Sequence, residues 1–325
     1  MKQRLLGIDS MRFIACVAVI LLHCFPATGP IKILVDQVAR FAVPFFFVTS
    51  GYFLAAKLSK GDTYDVYLRY VKKILVLYVA WSVIYFLDPP LRGDIITVYQ
   101  YRFFQFINRP WEEVWLVGIS GHFWFFVSLM LTVLTFMCFR LRHRYLFLAL
   151  AAVLYVVGVL GKAYEATPVG LSLGINTRNF IFFSSLPFAF GVVIRTRPIR
   201  FVSPSIVPIL VLTSIMLHVA EAAFLRACCE VTLQDYGFST VLMGVTVFLL
   251  AKQGFSSLET DRLAQLGKLT LGVYAIHILV AQRLHLLYVD PLVPYWYIVW
   301  PVLVLLFSLL FTEVFRRVRG LREIV

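Results

Sequence analysis

Apolar residues along this chain do not alternate. They run on in stretches of roughly 17 to 25 positions, the length an α-helix needs to cross a bilayer. Such stretches fall at about 6–26, 39–57, 71–88, 121–139, 145–161, 179–195, 206–225, 237–251, 268–288 and 295–315. They predict an all-α, polytopic membrane protein of about ten transmembrane helices, because only helices satisfy every backbone polar group of a single chain segment in lipid. Between the third and fourth stretches, 89–120 breaks the pattern: Asp88-Pro89-Pro90 stops a helix, and the aromatic, mixed-charge run that follows predicts an interfacial or re-entrant segment on the outer side.

Composition fixes the same class. With 61% apolar residues, 14% charged residues, 30 Phe and a mean hydropathy of +0.86, no soluble fold could hide the apolar surface. A net charge of +13 would suggest nucleic acid in a soluble chain. Here its placement says otherwise. If Lys2 and Arg4 are cytoplasmic, that side also carries Lys57, Lys60, Arg69, Lys72, Lys73, Arg140, Arg142, Arg144, Arg195, Arg197, Arg200, Lys252, Arg262, Lys268, Arg316, Arg317, Arg319 and Arg322, which with those first two makes 20 of the 30 basic residues. The opposite connections hold most of the acids, among them Asp36, Asp88, Asp94, Glu112, Glu113, Glu165, Glu230, Asp235 and Asp290. Both termini are therefore expected in the cytoplasm, and no nucleic-acid partner is called for. No cleavable signal precedes the first apolar run, so residues 1–325 read as a single integral membrane domain with no appended soluble domain. Five Cys form no CxxC pair and no His-flanked metal spacing, which argues against a disulfide framework and against a metal site.

The first helix carries the candidate chemistry. The eleven-residue step from Arg12 to His23 leaves the two side chains about 20° apart on one face and about 16 Å apart along the axis. Asp9, three residues before Arg12, is placed to pair with it. Ionisable groups inside a span cost about 3 kcal/mol or more each and mark a pathway or a cavity. The second helix opens with Arg40 near the depth of His23, then Pro44, and carries Ser50-Gly51, which permits close helix approach. The run Tyr67-Leu68-Arg69-Tyr70-Val71-Lys72-Lys73 brings Arg69, Lys72 and Lys73 to the start of the third helix, either as positive-inside anchors or as phosphate ligands. His122 begins the fourth helix and His277 lies inside the ninth; His143, His218 and His285 read as structural.

In order, Asp9-x2-Arg12-x10-His23, then RFAVPFFFVTSGYFL, a Tyr/Arg/Lys-rich start to the third helix, HFWFF, and LAQLGKLTLGVYAIHILV resemble the acyltransferase type 3 family over nearly the whole chain. That resemblance implies an integral membrane acyltransferase of about ten helices that takes an acyl group from acyl-CoA in the cytoplasm and passes it to a hydroxyl, usually of a sugar. It implies the Arg-x10-His signature at Arg12 and His23, the basic pair at Arg69 and Lys72, and the histidine of the late Gly-x-Tyr-x-x-His segment at His277, with Tyr274 inside that segment. Lys72 stands where many members carry a second Arg, which keeps the charge and loses the bidentate fork.

Acyl transfer to an alcohol needs a base, and imidazole suits the task. His23 is the expected general base in a direct transfer. A covalent route through Ser50 or Cys24 lacks any activating motif. The oxyanion needs a donor, for which Arg12, Arg40 or His122 are available. Arg69, Lys72 and Lys73, with His277 and Tyr274, are expected to hold the donor, acetyl-CoA or another acyl-CoA, and no permanently bound cofactor is expected. The remaining partners would be membrane lipids and a sugar or polysaccharide acceptor, and the location a bacterial inner membrane. The rival reading is a transporter or flippase for an anionic or sugar-linked lipid, which would also want buried Arg and His; the inverted repeats common in transporters are not visible here.

Overall fold

The computed structural model describes residues 6–26, 29–89, 103–104, 107–108, 120–197, 203–231, 235–254, 261–285 and 293–325. Among them the regular structure is helical and no strand occurs. In chain order the helices are α1 (Leu6–Cys24), α2 (Gly29–Ala39), α3 (Ala42–Leu58), α4 (Tyr64–Leu87), α5 (Trp124–Phe139), α6 (Arg144–Leu160), α7 (Ile181–Thr196), α8 (Val207–Cys229), α9 (Thr240–Gln253), α10 (Asp261–Leu266), α11 (Thr270–Leu284) and α12 (Trp296–Arg317). Each of the ten predicted segments meets one of these. Six of the described helices are long and apolar enough to cross a membrane: α1, α4, α8, α12, and α5 and α6 with the short turns before them. Three more apolar helices, α7, α9 and α11, are shorter.

Two helices were not expected. α2 begins at Gly29, whose φ of +68° suits glycine, and is braced by the Lys32–Asp36 pair at 2.7 Å. Its eleven residues span only about 16 Å, too little to cross a bilayer. α10 is six residues long. A third difference concerns α4, which starts at Tyr64, seven residues before the predicted boundary, with Thr63 extended and Asp65 in its first turn. Arg69, Lys72 and Lys73 therefore lie within a helix that continues past the apolar segment. The predicted interfacial segment at 89–120 falls almost entirely outside the described residues, as do Lys2, Arg4, Asp94, Glu112, Glu113, Arg200 and Asp290.

The bundle is built around α3, which packs most closely on α7 and also meets α9, α1 and α4. Glycine makes this possible. A Cβ on Gly51 would collide with the Phe188 carbonyl, one on Gly191 with the Val48 carbonyl, and one on Gly244 would come within 2.5 Å of the Pro44 side chain. In lipid, where no hydrophobic force draws helices together, such backbone approach supplies the dispersion contacts that do. A polar seam reinforces it: Ser128 on α5 donates to Ser184 on α7 at 2.7 Å. Gly51→Val is accordingly expected to destabilise the fold by about 3 kcal/mol, the scale of overpacking in a tight core. A melting temperature equal to that of the parent protein in the same detergent would contradict this account of the α3–α7 contact.

Candidate active site

A cavity of about 800 Å³ runs between α1, α3, α4, α5 and α11. Its walls follow from helical periodicity. Arg12, Val19 and His23 face it from α1 at spacings of seven and four, Phe46, Ser50, Phe53 and Lys57 from α3, and Val66, Arg69, Tyr70, Lys73 and Leu77 from α4. Arg12 pairs with Asp9 at 3.4 Å, which leaves Asp9 behind the wall and Arg12 on it.

The two ends of the cavity differ. At one, Arg12, Lys57, Arg69 and Lys73 converge, with the Lys57 ammonium 5.7 Å from the centre of the Tyr70 ring. Lys72 is exposed and lies outside the lining, one residue off the face that Arg69 and Lys73 share. At the other end stand Asp36, Arg40, Arg178 and Asp235. Arg40 precedes α3 and Lys57 lies in its last turn, seventeen residues on, which is about 25 Å at the helical rise. Arg40 donates to the Asp235 carbonyl at 2.9 Å, and Arg178 bonds the Asp235 carboxylate at 2.6 Å while its guanidinium lies 4.9 Å from the Trp124 ring. Among the described residues, the charged side chains near enough to act electrostatically on His23 are those of Lys32, Arg178, Asp36 and Arg40.

Three histidines meet near that second end. His23 is exposed to the cavity, His122 forms part of its wall, and His277 is fully buried behind them. The His277 ring centre lies 5.3 Å from that of His23 and 5.2 Å from that of His122. A carbonyl can only accept, so the 2.7 Å contact to Tyr274 O puts the His277 proton on Nδ1 and leaves Nε2 as a buried, unpartnered acceptor. His122 has both nitrogens engaged: Nε2 with Ala275 O at 3.4 Å, Nδ1 with Ser120 Oγ at 2.9 Å. The Tyr274 hydroxyl donates to the His122 carbonyl. Thus His277 and Tyr274, expected beside the donor ligands Arg69, Lys72 and Lys73, pack with the histidine cluster.

Several residues at the site had no signal in the sequence reading. Tyr85 reaches from α4 into the backbone ladder of α11, donating to Ala275 O at 2.9 Å and accepting from Leu279 N at 3.1 Å, on either side of His277. An inserted side chain of this kind sets the local course of a helix and so the aim of the ring it carries. Lys57 resembles any positive-inside anchor. Arg178 sits in the short turn Thr177–Asn179, and Asp235 in a connection, so neither showed helical spacing with the α1 stripe. His218, read as structural, is buried and bonded to Ser239 at 2.8 Å.

Comparison with known proteins adds a second line of support. The family profile described as an acyltransferase domain of type 3 matches residues 5–315. Among curated proteins the chain is similar to a serine/alanine racemase of Enterococcus gallinarum, 32% identical over 212 residues that make up 59% of this chain and 29% of that protein. It is also similar to an amino-acid racemase of Enterococcus faecalis, 27% identical over 305 residues, or 88% of this chain and 42% of that one. The chain spans less than half the length of either relative. No solved structure matches it. With the match running from one end of the helical bundle to the other, the chain belongs to the type 3 acyltransferase family of multi-pass membrane proteins.

Proposed function

We propose that this protein transfers an acyl group, acetyl foremost, from cytoplasmic acyl-CoA to a hydroxyl of a cell-surface or lipid-linked sugar, with His23 as general base. In this reading ten helices span a bacterial inner membrane, both termini are cytoplasmic, and the Lys57–Arg69–Lys73 end of the cavity faces the compartment that supplies CoA. The observation that carries it is one cavity with cationic side chains, of the kind that bind phosphates, at one end and an accessible imidazole toward the other. The CoA phosphates dock among Arg12, Lys57, Arg69 and Lys73. The pantetheine arm then runs along the α1 face and brings the thioester to His23.

The acceptor enters from the opposite end. His23 takes the hydroxyl proton as the oxygen attacks the thioester carbon, forming the new C–O bond and moving the carbonyl electrons onto oxygen. Collapse of this tetrahedral species breaks the C–S bond, and the imidazolium returns its proton to the CoA sulfur. Of the three candidates for the oxyanion, Arg12 lies about 16 Å from His23 along α1 and His122 is engaged at both nitrogens. Arg40 remains, and Arg178 joins it as a cation facing His23, held in place by Asp235 and Trp124, which suits a preorganised electrostatic role.

The test is calorimetric titration of the detergent-purified protein with acetyl-CoA and CoA, followed by transfer of labelled acetyl to sugar acceptors. Saturable binding is expected for both. A folded protein that binds neither these nor succinyl-CoA would sink the acyltransferase reading and favour transport of an anionic or sugar-linked lipid, for which flipping of a labelled lipid in proteoliposomes is the next measurement.

A further inference from the structure

The charges at the His23 end of the cavity do not balance among the described residues. Among the described residues four cations gather there, Lys32, Arg40, Lys162 and Arg178, around two carboxylates. Lys32 is matched to Asp36 at 2.7 Å; Arg178 and Lys162 share Asp235 at 2.6 and 3.6 Å. Arg40 holds only a main-chain carbonyl, and its Nε is buried with no hydrogen-bond partner. The neighbouring carboxylate, Glu221, does not line the cavity and is occupied by the Phe238 and Ser239 amides and the Tyr164 hydroxyl.

The Nε is closed off from the cavity, but Arg40 lines the wall with a main-chain carbonyl as its hydrogen-bond partner, so its guanidinium keeps N–H capacity that a planar anion fits. The transient oxyanion of acyl transfer, which Arg40 and Arg178 share in the proposed scheme, does not meet that need, since it is absent in the resting complex. The CoA phosphates do not either, because the cations proposed for them lie about 25 Å away along α3. We infer that Arg40, with the excess positive charge beside His23, binds an anionic group, a carboxylate or a phosphate, carried by the acyl acceptor itself. The inference rests on the acyltransferase reading for the word acceptor, and on geometry alone for the anion. The sugar acylated is then acidic or phosphate-linked, and the anion fixes which hydroxyl reaches His23.

The experiment compares three probes on the detergent-purified full chain at low ionic strength: methyl glucuronide, glucosyl phosphate and the neutral methyl glucoside. One of the two anions is expected to bind at least about tenfold more tightly than the neutral sugar, the scale of one charge-assisted contact. Preference for the glucuronide identifies an acidic sugar, and preference for the phosphate a phosphate-linked one. Arg40→Gln should erase the preference and Arg40→Lys keep part of it. Arg40 is chosen over Arg178 because it braces no carboxylate of the fold; should Arg40→Gln fold poorly, loss of the preference in the parent protein at high salt and its partial retention in Arg40→Lys give the same reading. Equal binding of all three probes, binding of none, or a preference that survives Arg40→Gln overturns the inference. Acetyl-CoA titrated on the same samples keeps the two questions apart, because its failure to bind removes the acyltransferase reading while leaving the anion result standing.

Discussion

The His23→Ala protein is expected to transfer acetyl at about one thousandth of the parental rate while binding acetyl-CoA with less than a twofold change in affinity. Positioned general bases contribute about 10²- to 10⁴-fold, and in the proposed scheme no other group at the site takes over the proton. His277 cannot: it is fully buried behind His23, with its Nδ1 proton committed to Tyr274 O. His122 cannot either, with Ser120 and Ala275 on its two nitrogens. Because His23 lies about 16 Å from Arg12 along the helix, its loss should not disturb the phosphate end of the cavity. Single-turnover transfer with preloaded labelled acetyl-CoA separates the steps. Near-parental turnover would remove His23 from the role of base; loss of acetyl-CoA affinity would mean that the thioester end, and not the proton transfer, depends on this ring.

The same distinction shows what was legible in the sequence. The α1 stripe was, because Arg12 and His23 share one helix and periodicity alone puts them on one face. The glycine at position 51 announced close packing, and the structure adds that its partner is the Phe188 carbonyl on α7. What required three dimensions were contacts between helices far apart in sequence. His277 is 254 residues from His23, yet their rings pack at 5.3 Å. Lys57 read as one of many topogenic cations until the faces of α3 and α4 turned it and Lys73 toward one cavity, and by the same rotation Lys72 left it. Arg178 and Asp235 lie outside the long helices, where no period exists to be read. Apolar run length marks a membrane helix well. It says little about the short α2 and α10, whose residues are held by a turn or a neighbouring helix and not by the bilayer.

Removal of the cations facing the cavity from α4 tests the donor end with the second large effect. In Arg69→Ala with Lys73→Ala, acetyl-CoA affinity is expected to fall about a hundredfold or more, since a hydrogen bond to a charged group contributes about 1.5 to 3 kcal/mol and two are lost. Lys72→Ala should change it less than about threefold, because Lys72 is exposed off the cavity wall and its contribution reduces to screened, long-range attraction. The ordering separates geometry from motif: were the basic pair of the family resemblance to act as written in sequence, Arg69 with Lys72, the Lys72 variant would be the weaker binder and Lys73→Ala nearly neutral. Titration at two ionic strengths sharpens the result. The parental affinity should fall with added salt more steeply than that of the double variant, as phosphate contacts made by mobile cations do. A double variant with parental affinity and parental salt dependence would place the CoA phosphates elsewhere and take the donor assignment of this end of the cavity with it.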